Sequence, residues 1–156
     1  MRPEWDDIFL EIVPIIGKRG TCNRGRSGCI IVKDNRIIST GYVGSPSGMP
    51  HCDDVGHDII KFIDSKGNST DHCCRSIHAE ENAIIYAAKH GIKLDGSTLY
   101  CTMVPCPTCA KSIIGAGIKK VVCIFSHSLV DSSRELFSYS KIDLIIKNPK
   151  ESAKYE

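Results

Sequence analysis

Four residues in two short stretches stand out by type and spacing: His78 and Glu80 in His78-Ala79-Glu80, and Cys106 and Cys109 in Pro105-Cys106-Pro107-Thr108-Cys109. One imidazole and two thiolates can hold a zinc ion through three bonds and leave its fourth position open. That open position separates a catalytic zinc from a structural one, because water activated there ionises near a pH of about 7. Glu80 is then not needed as a ligand. A carboxyl group two residues from a ligand is placed to carry protons between such a water and a reacting atom.

The spacing also constrains the elements that carry these groups. Residues two apart on a helix do not face each other, so His78 and Glu80 reach one ion only if it lies beyond a helix N-terminus. Cys106 reads as an N-cap followed by Pro107 at the first helical position, where a missing N–H costs nothing, with Cys109 one turn on. Two helix N-termini directed at the sulfurs would favour thiolate. A Cys-x-x-Cys alone also serves as a redox pair or as half of a structural zinc site. His-Ala-Glu alone says less, and the weight lies on the two motifs together, in this order, each opening an apolar helix-like segment.

Trp5, Ile8, Phe9, Ile12 and Ile15/Ile16 have the spacing of a helix with one buried stripe, and Pro14 is expected to bend or end it. Cys29–Val32 and Ile37–Tyr42 flank Lys33-Asp34-Asn35-Arg36 and read as a β-hairpin. Periodicity is lost from Gly44 to Cys74, which reads as a long, functional or stapled loop. Further on, the pattern predicts helices over Ile77–His90, Cys106–Gly115 and Ser132–Phe137. Strands are predicted at Thr98–Thr102, Lys119–Phe125 and Ile142–Ile146. Strands alternating with helices predict an α/β fold, a mixed sheet covered on both faces. Residues 1–156 read as a single domain, with the charged tail 147–156 frayed.

Composition narrows the function classes. The 156 residues are 42% hydrophobic and 24% charged, and no apolar run approaches the about 20 residues that span a bilayer. The acidic start, Glu4-Trp5-Asp6-Asp7, is unlike a secretory signal, so a cytoplasmic location is expected. Nine cysteines in a reducing compartment point to metal ligands and buried thiols rather than disulfides. A net charge of +2 with 6% aromatic residues provides neither a broad phosphate-binding face nor a stacking platform, so no nucleic-acid partner is expected and a small anionic substrate fits better.

The H-x-E and P-C-x-x-C pair is the signature of zinc deaminases, and the chain resembles the deoxycytidylate (dCMP) deaminase family of the cytidine deaminase superfamily from about Trp5 to Val122. The resemblance also rests on Lys18–Cys22, Gly41–Gly48, His51–His57, His72–Ile84, Ala110–Ile114 and Gly117–Lys119. It implies a three-layer α/β/α arrangement around a mixed five-stranded sheet. It further implies hydrolysis of dCMP to dUMP and ammonia, with His78, Cys106 and Cys109 holding zinc and Glu80 shuttling protons; the alternatives are dCTP, alone or together with dCMP, and a base in a nucleic acid, of the tRNA adenosine type. Asn82 matches a position that supports the nucleotide end of the site, a role a structural amide would share. Ala79 and His127 fall at substrate-facing positions. Arg26 and Arg24 are candidate phosphate contacts, by bidentate pairing. Cys22, Cys52, His57 and Cys73 match positions that in several relatives bind a second, structural zinc, with Cys74, His51 and His72 as competing donors. Family members are commonly homohexamers, with dCTP and dTTP as effectors. The chain departs from the family at Val43, where an asparagine is usual, at His127, where a tyrosine is common, and at His57, where many relatives have cysteine.

Overall fold

The computed structural model describes residues 2–126 and 130–148. Its elements run α1 (Trp5–Gly17), β1 (Gly28–Lys33), β2 (Arg36–Tyr42), α2 (Cys52–Val55), β3 (Ile59–Ile63), β4 (Ser69–Cys73), α3 (Ala79–Lys89), β5 (Thr98–Met103), α4 (Pro107–Gly115), β6 (Lys120–Phe125), α5 (Val130–Tyr139) and β7 (Asp143–Ile146). Five strands form one sheet in the order β2-β1-β5-β6-β7. β1 is antiparallel to both β2 and β5, whereas β5, β6 and β7 are parallel, so the sheet is mixed as expected. The β1–β2 loop is Asp34-Asn35, both at positive φ (51° and 55°), the pair a two-residue type I′ turn requires.

Both faces of the central strands are buried, with side chains alternating between two cores. Cys29, Ile31, Leu99, Cys101, Val121 and Cys123 face the layer of α3, α4 and α5. Ile30, Val32, Tyr100, Val122 and Ile124 pack against Phe9, Leu10 and Val13 of α1. Each such apolar side chain contributes about 1.5–3 kcal/mol on burial, which explains why α1 continues through Pro14 to Gly17 although proline removes one helical donor. Of the two outcomes expected at Pro14, an end to the helix is therefore corrected: packing outweighs local propensity. α1 is also pinned by Asp6, which accepts hydrogen bonds from Tyr100 Oη at 2.6 Å and Lys120 Nζ at 2.8 Å.

The long irregular loop expected from Gly44 to Cys74 is a second correction. It contains the short helix α2 and an antiparallel hairpin, β3–β4, separate from the main sheet. Asp64 closes the hairpin turn by accepting from the backbone N–H groups of Lys66 and Asn68, each at 2.8 Å, with Gly67 at positive φ. Every residue of β3 is exposed, so it lacks the buried/exposed alternation by which a strand is recognised. The predicted short helix at Ser132–Phe137 extends over Val130–Tyr139. At the expected frayed tail, Lys147 is held, its N–H bonding Cys123 O at 2.8 Å and its Nζ pairing with Asp7 at 2.6 Å. Residues 149–156 lie outside the described residues.

Candidate active site

His78 is the N-cap of α3, with extended backbone angles (φ −72°, ψ 157°) that aim its ring past the helix end. A backbone bridge between Gly44 and Ile77 sets it beside the end of β2. Cys106 is the N-cap of α4 with Pro107 in its first turn, and Cys109 follows one turn later. Buried Ser133 donates to Pro105 O at 2.6 Å and fixes the entry to that turn. His78 Nδ1 stands 3.5 Å from Cys106 Sγ and 3.4 Å from Cys109 Sγ. Zinc–sulfur and zinc–nitrogen bonds of about 2.3 and 2.0 Å at tetrahedral angles give an N···S edge of about 3.5 Å, so the three donors fit a zinc ion. Among the described residues no fourth His, Cys, Asp or Glu joins them.

The electrostatics suit a cation. Hydrogen bonding from Cys109, then from His78, holds the Cys106 thiol down at about 3 against the cost of burial. The same sulfur pair and burial push Cys109 upward. The Cys106 contact outweighs burial and raises His78 to about 9. A zinc ion bound by these three donors would displace the protons they share. Glu80, in the first turn of α3 and 8% exposed, has its carboxyl raised chiefly by burial, opposed by its own backbone N–H and by His78. α3 can sit this close to the sheet because β2 has Gly41 beneath it: a Cβ there would run into the backbone of Ala79 and Ala83.

His78, Glu80 and Cys106 line a cavity of about 360 Å³. Ala79, Val43, Ser27 and Arg24 line it as well. Of the two arginines considered for phosphate, Arg24 lines the cavity and Arg26 does not. Arg26 is spent on the Gly20 carbonyl and on an ion pair with Asp53 at 3.1 Å. Asn82 does not line the cavity either; its Nδ2 donates to Tyr42 O at 2.6 Å and ties α3 to the end of β2. His127 lies outside the described residues. Sequence reasoning missed Ser27, Asp71, Ser76 and Met103 as cavity residues, and no local pattern marks them.

A second donor cluster lies alongside. Cys22, Cys52, His57 and Cys73 place one ligand atom each within 4.8 Å of one another. Cys22 Sγ is 3.6 Å from His57 Nδ1, Cys52 Sγ is 3.5 Å from Cys73 Sγ, and His57 Nε2 meets Asn23 Oδ1 at 2.9 Å. Four converging donors with a partner orienting the imidazole fit a closed, four-coordinate zinc. Burial and the neighbouring sulfurs push Cys52 up to about 12. Burial also disfavours the Cys73 thiolate, but backbone hydrogen bonds from Asp58 and Arg75 and the His57 contact bring it down to about 6. The competing donors are elsewhere: Cys74 is exposed, His72 contacts Thr70 and Phe62, and His51 Nδ1 is buried without a partner.

A helix-capping histidine, a helix-opening Cys-x-x-Cys and a buried glutamate on a mixed five-stranded sheet are the site pattern of the zinc-dependent deaminase class. The chain belongs to the cytidine and deoxycytidylate deaminase zinc-binding family, whose pattern matches residues 3–125. It is 40% identical over 141 residues to ComE operon protein 2 of Bacillus subtilis, covering 90% of this chain and 70% of that one. It is 36% identical over 143 residues to the deoxycytidylate deaminase of Schizosaccharomyces pombe, covering 92% of this chain but spanning only 44% of the length of that relative. The solved dCMP deaminase of cyanophage S-TIM5, in complex with dCMP and dUMP, matches with a TM-score of 0.75 at 28% identity, over 94% of this chain and 99% of that one. No helix among the described residues is long and apolar enough to cross a membrane.

Proposed function

We propose that this chain catalyses the hydrolysis of dCMP to dUMP and ammonia. The observation that carries the reading is the convergence of the His78–Cys106–Cys109 donor set beside a buried Glu80, with His78, Cys106, Glu80 and Arg24 all lining one cavity of about 360 Å³. The relative solved with dCMP and dUMP supports this choice of nucleotide.

His78, Cys106 and Cys109 would hold the zinc, which supplies Lewis-acid activation of water at neutral pH. Glu80 takes the proton that the attacking water gives up and delivers it to the pyrimidine ring nitrogen, then takes the proton of the hydroxyl now on the ring carbon and passes it to the amine, so that the carbonyl forms as the C–N bond breaks and ammonia leaves. Burial serves this cycle, because a carboxyl group raised by its surroundings holds a proton more readily between steps. Ala79 and Val43 provide apolar wall, and Arg24 provides a planar cation for the phosphate. In the same reading, Cys22, Cys52, His57 and Cys73 hold a second, structural zinc that fastens the segment between β2 and α3.

The wider parts of the reading rest on the family resemblance. Exposed Ile85 and Tyr86 on α3 support a homo-oligomer, up to a hexamer. Regulation by dCTP and dTTP is weakened, because buried Val43 offers no amide to a nucleotide. Nine free cysteines support a reducing, cytoplasmic setting. The deciding experiment measures ammonia release from deoxycytidine, dCMP, dCTP and a short RNA, each with and without dCTP or dTTP. Preference for dCMP supports the reading; equal turnover of the free nucleoside removes the phosphate from it.

A further inference from the structure

Cys22 and Cys73 belong to two places at once. Their sulfurs are members of the four-donor cluster with Cys52 and His57, and both residues line the same cavity as His78, Glu80 and Cys106. The cluster gathers three segments that share no sheet: the irregular stretch before β1, α2 with the turn after it, and the end of β4. Arg24 follows Cys22 by two residues, and its guanidinium donates to the carbonyl of Asp71, two residues before Cys73, at 3.3 Å. The chain ties both ends of this stretch, through Thr21 N to Val43 O at 3.0 Å and Val43 N to Ser27 O at 3.1 Å, but beside Arg24 the Gly25 N–Cys22 O contact is long, at 3.5 Å, and the Arg26–Asp53 pair, with side chains 43% and 34% exposed, contributes little. Four metal–ligand bonds are a far stronger tie.

The geometry points to the metal of the Cys22–Cys52–His57–Cys73 cluster as a positioning device for the phosphate end of the substrate cavity, acting through Arg24. With the metal held, Cys22 and Cys73 would be tied to one another and Arg24 kept on the cavity wall against Asp71. With it lost, residues 22–26 would loosen and the phosphate would lose its cation, while the donors on α3 and α4 keep their geometry. The inference rests on the reading of a nucleotide substrate and deepens it.

The test compares the native chain with His57→Ala, whose side chain is exposed, and Cys52→Ala, which does not line the cavity. Zinc per chain, the calorimetric affinity for dUMP and for deoxyuridine, and the kinetics with dCMP and deoxycytidine are measured on each, with circular dichroism to confirm the fold. The expected result is the loss of one of two zincs per chain. Affinity for dUMP weakens, and KM for dCMP rises, by about 10- to 100-fold, the scale of one hydrogen-bonded charge. Deoxyuridine and deoxycytidine, which lack the phosphate, change by no more than about twofold. Arg24→Ala in the otherwise native chain reproduces the loss while keeping both zincs, and combining it with His57→Ala adds no more than about twofold.

A native chain holding one zinc, both variants retaining two, or loss of the second zinc with dUMP affinity unchanged overturns the proposal. So does an equal loss for nucleoside and nucleotide. A native chain that binds dUMP but releases no ammonia from dCMP overturns the proposed reaction instead, and the zinc dependence of dUMP binding is then still read directly.

Discussion

His78 Nδ1 lies 3.4 Å from Cys109 Sγ although 31 residues separate them in the chain. The contact joins the N-terminal ends of α3 and α4, so that the imidazole that caps α3 and the two sulfurs that open α4 converge, with Glu80 in the first turn of α3 beside them.

Glu80→Gln keeps the size of the side chain and removes its ability to carry a proton. Zinc content and thermal midpoint should stay near native, while kcat falls by about 100- to 10,000-fold. Metal analysis and steady-state kinetics on one preparation check both halves, and turnover within tenfold of native would refute the assignment of Glu80.

Removing metal should act on stability as well as activity, because bound ions would tie α3 to α4 through His78, Cys106 and Cys109, and three separate segments through Cys22, Cys52, His57 and Cys73. Dialysis against a chelator is expected to abolish turnover and lower the melting temperature, and added zinc should restore both. A melting temperature indifferent to chelation would contradict the donor sets described.

Gly41→Ala tests the approach of α3 to β2. The new methyl group meets the backbone of Ala79 and Ala83, which cannot swing aside as a side chain would. Overpacking of this kind costs about 1–3 kcal/mol and shifts the helix that bears Glu80. Urea unfolding should show a lowered midpoint with kcat reduced in parallel; an unchanged midpoint would show that α3 has room to move.

Asp6 supplies a pH dependence of stability. Burial raises its pKa, but hydrogen bonds from Lys120 and Tyr100, with the charges of Lys120 and Lys147, outweigh that and hold the carboxyl below its ordinary range. A folded pKa below the unfolded value of about 3.9 contributes stability that is full above that value and is lost as pH falls through the folded pKa. Asp6→Asn should therefore be less stable than the native chain near pH 6, by about 1 kcal/mol given its partial exposure. The gap should close in denaturant titrations taken below pH 4; a gap that widens in acid would reverse the sign argued here.

The sequence by itself determined the parts whose signals are local. N-cap and proline preferences placed His78 and Cys106 at helix starts, apolar runs bounded by turn residues placed β1, β5 and β6 as strands, and Lys33-Asp34-Asn35-Arg36 marked the tight turn of a hairpin. The β3–β4 hairpin escaped notice because its strands are solvent-exposed, although Asp64 and Gly67 carried a turn signal that could have revealed it. Tertiary structure alone decided which of several cysteines and histidines converge: Cys22, Cys52, His57 and Cys73 meet, whereas Cys74, His51 and His72 do not. It alone put Arg24 on the cavity and Arg26 against Asp53. The physical reason is range. Caps, turns and strand periods are set by neighbours within a few residues, but convergence across 35 or 47 residues, as between Cys22 and His57 or Arg24 and Asp71, exists only after the sheet and the hairpin have fixed where each segment ends.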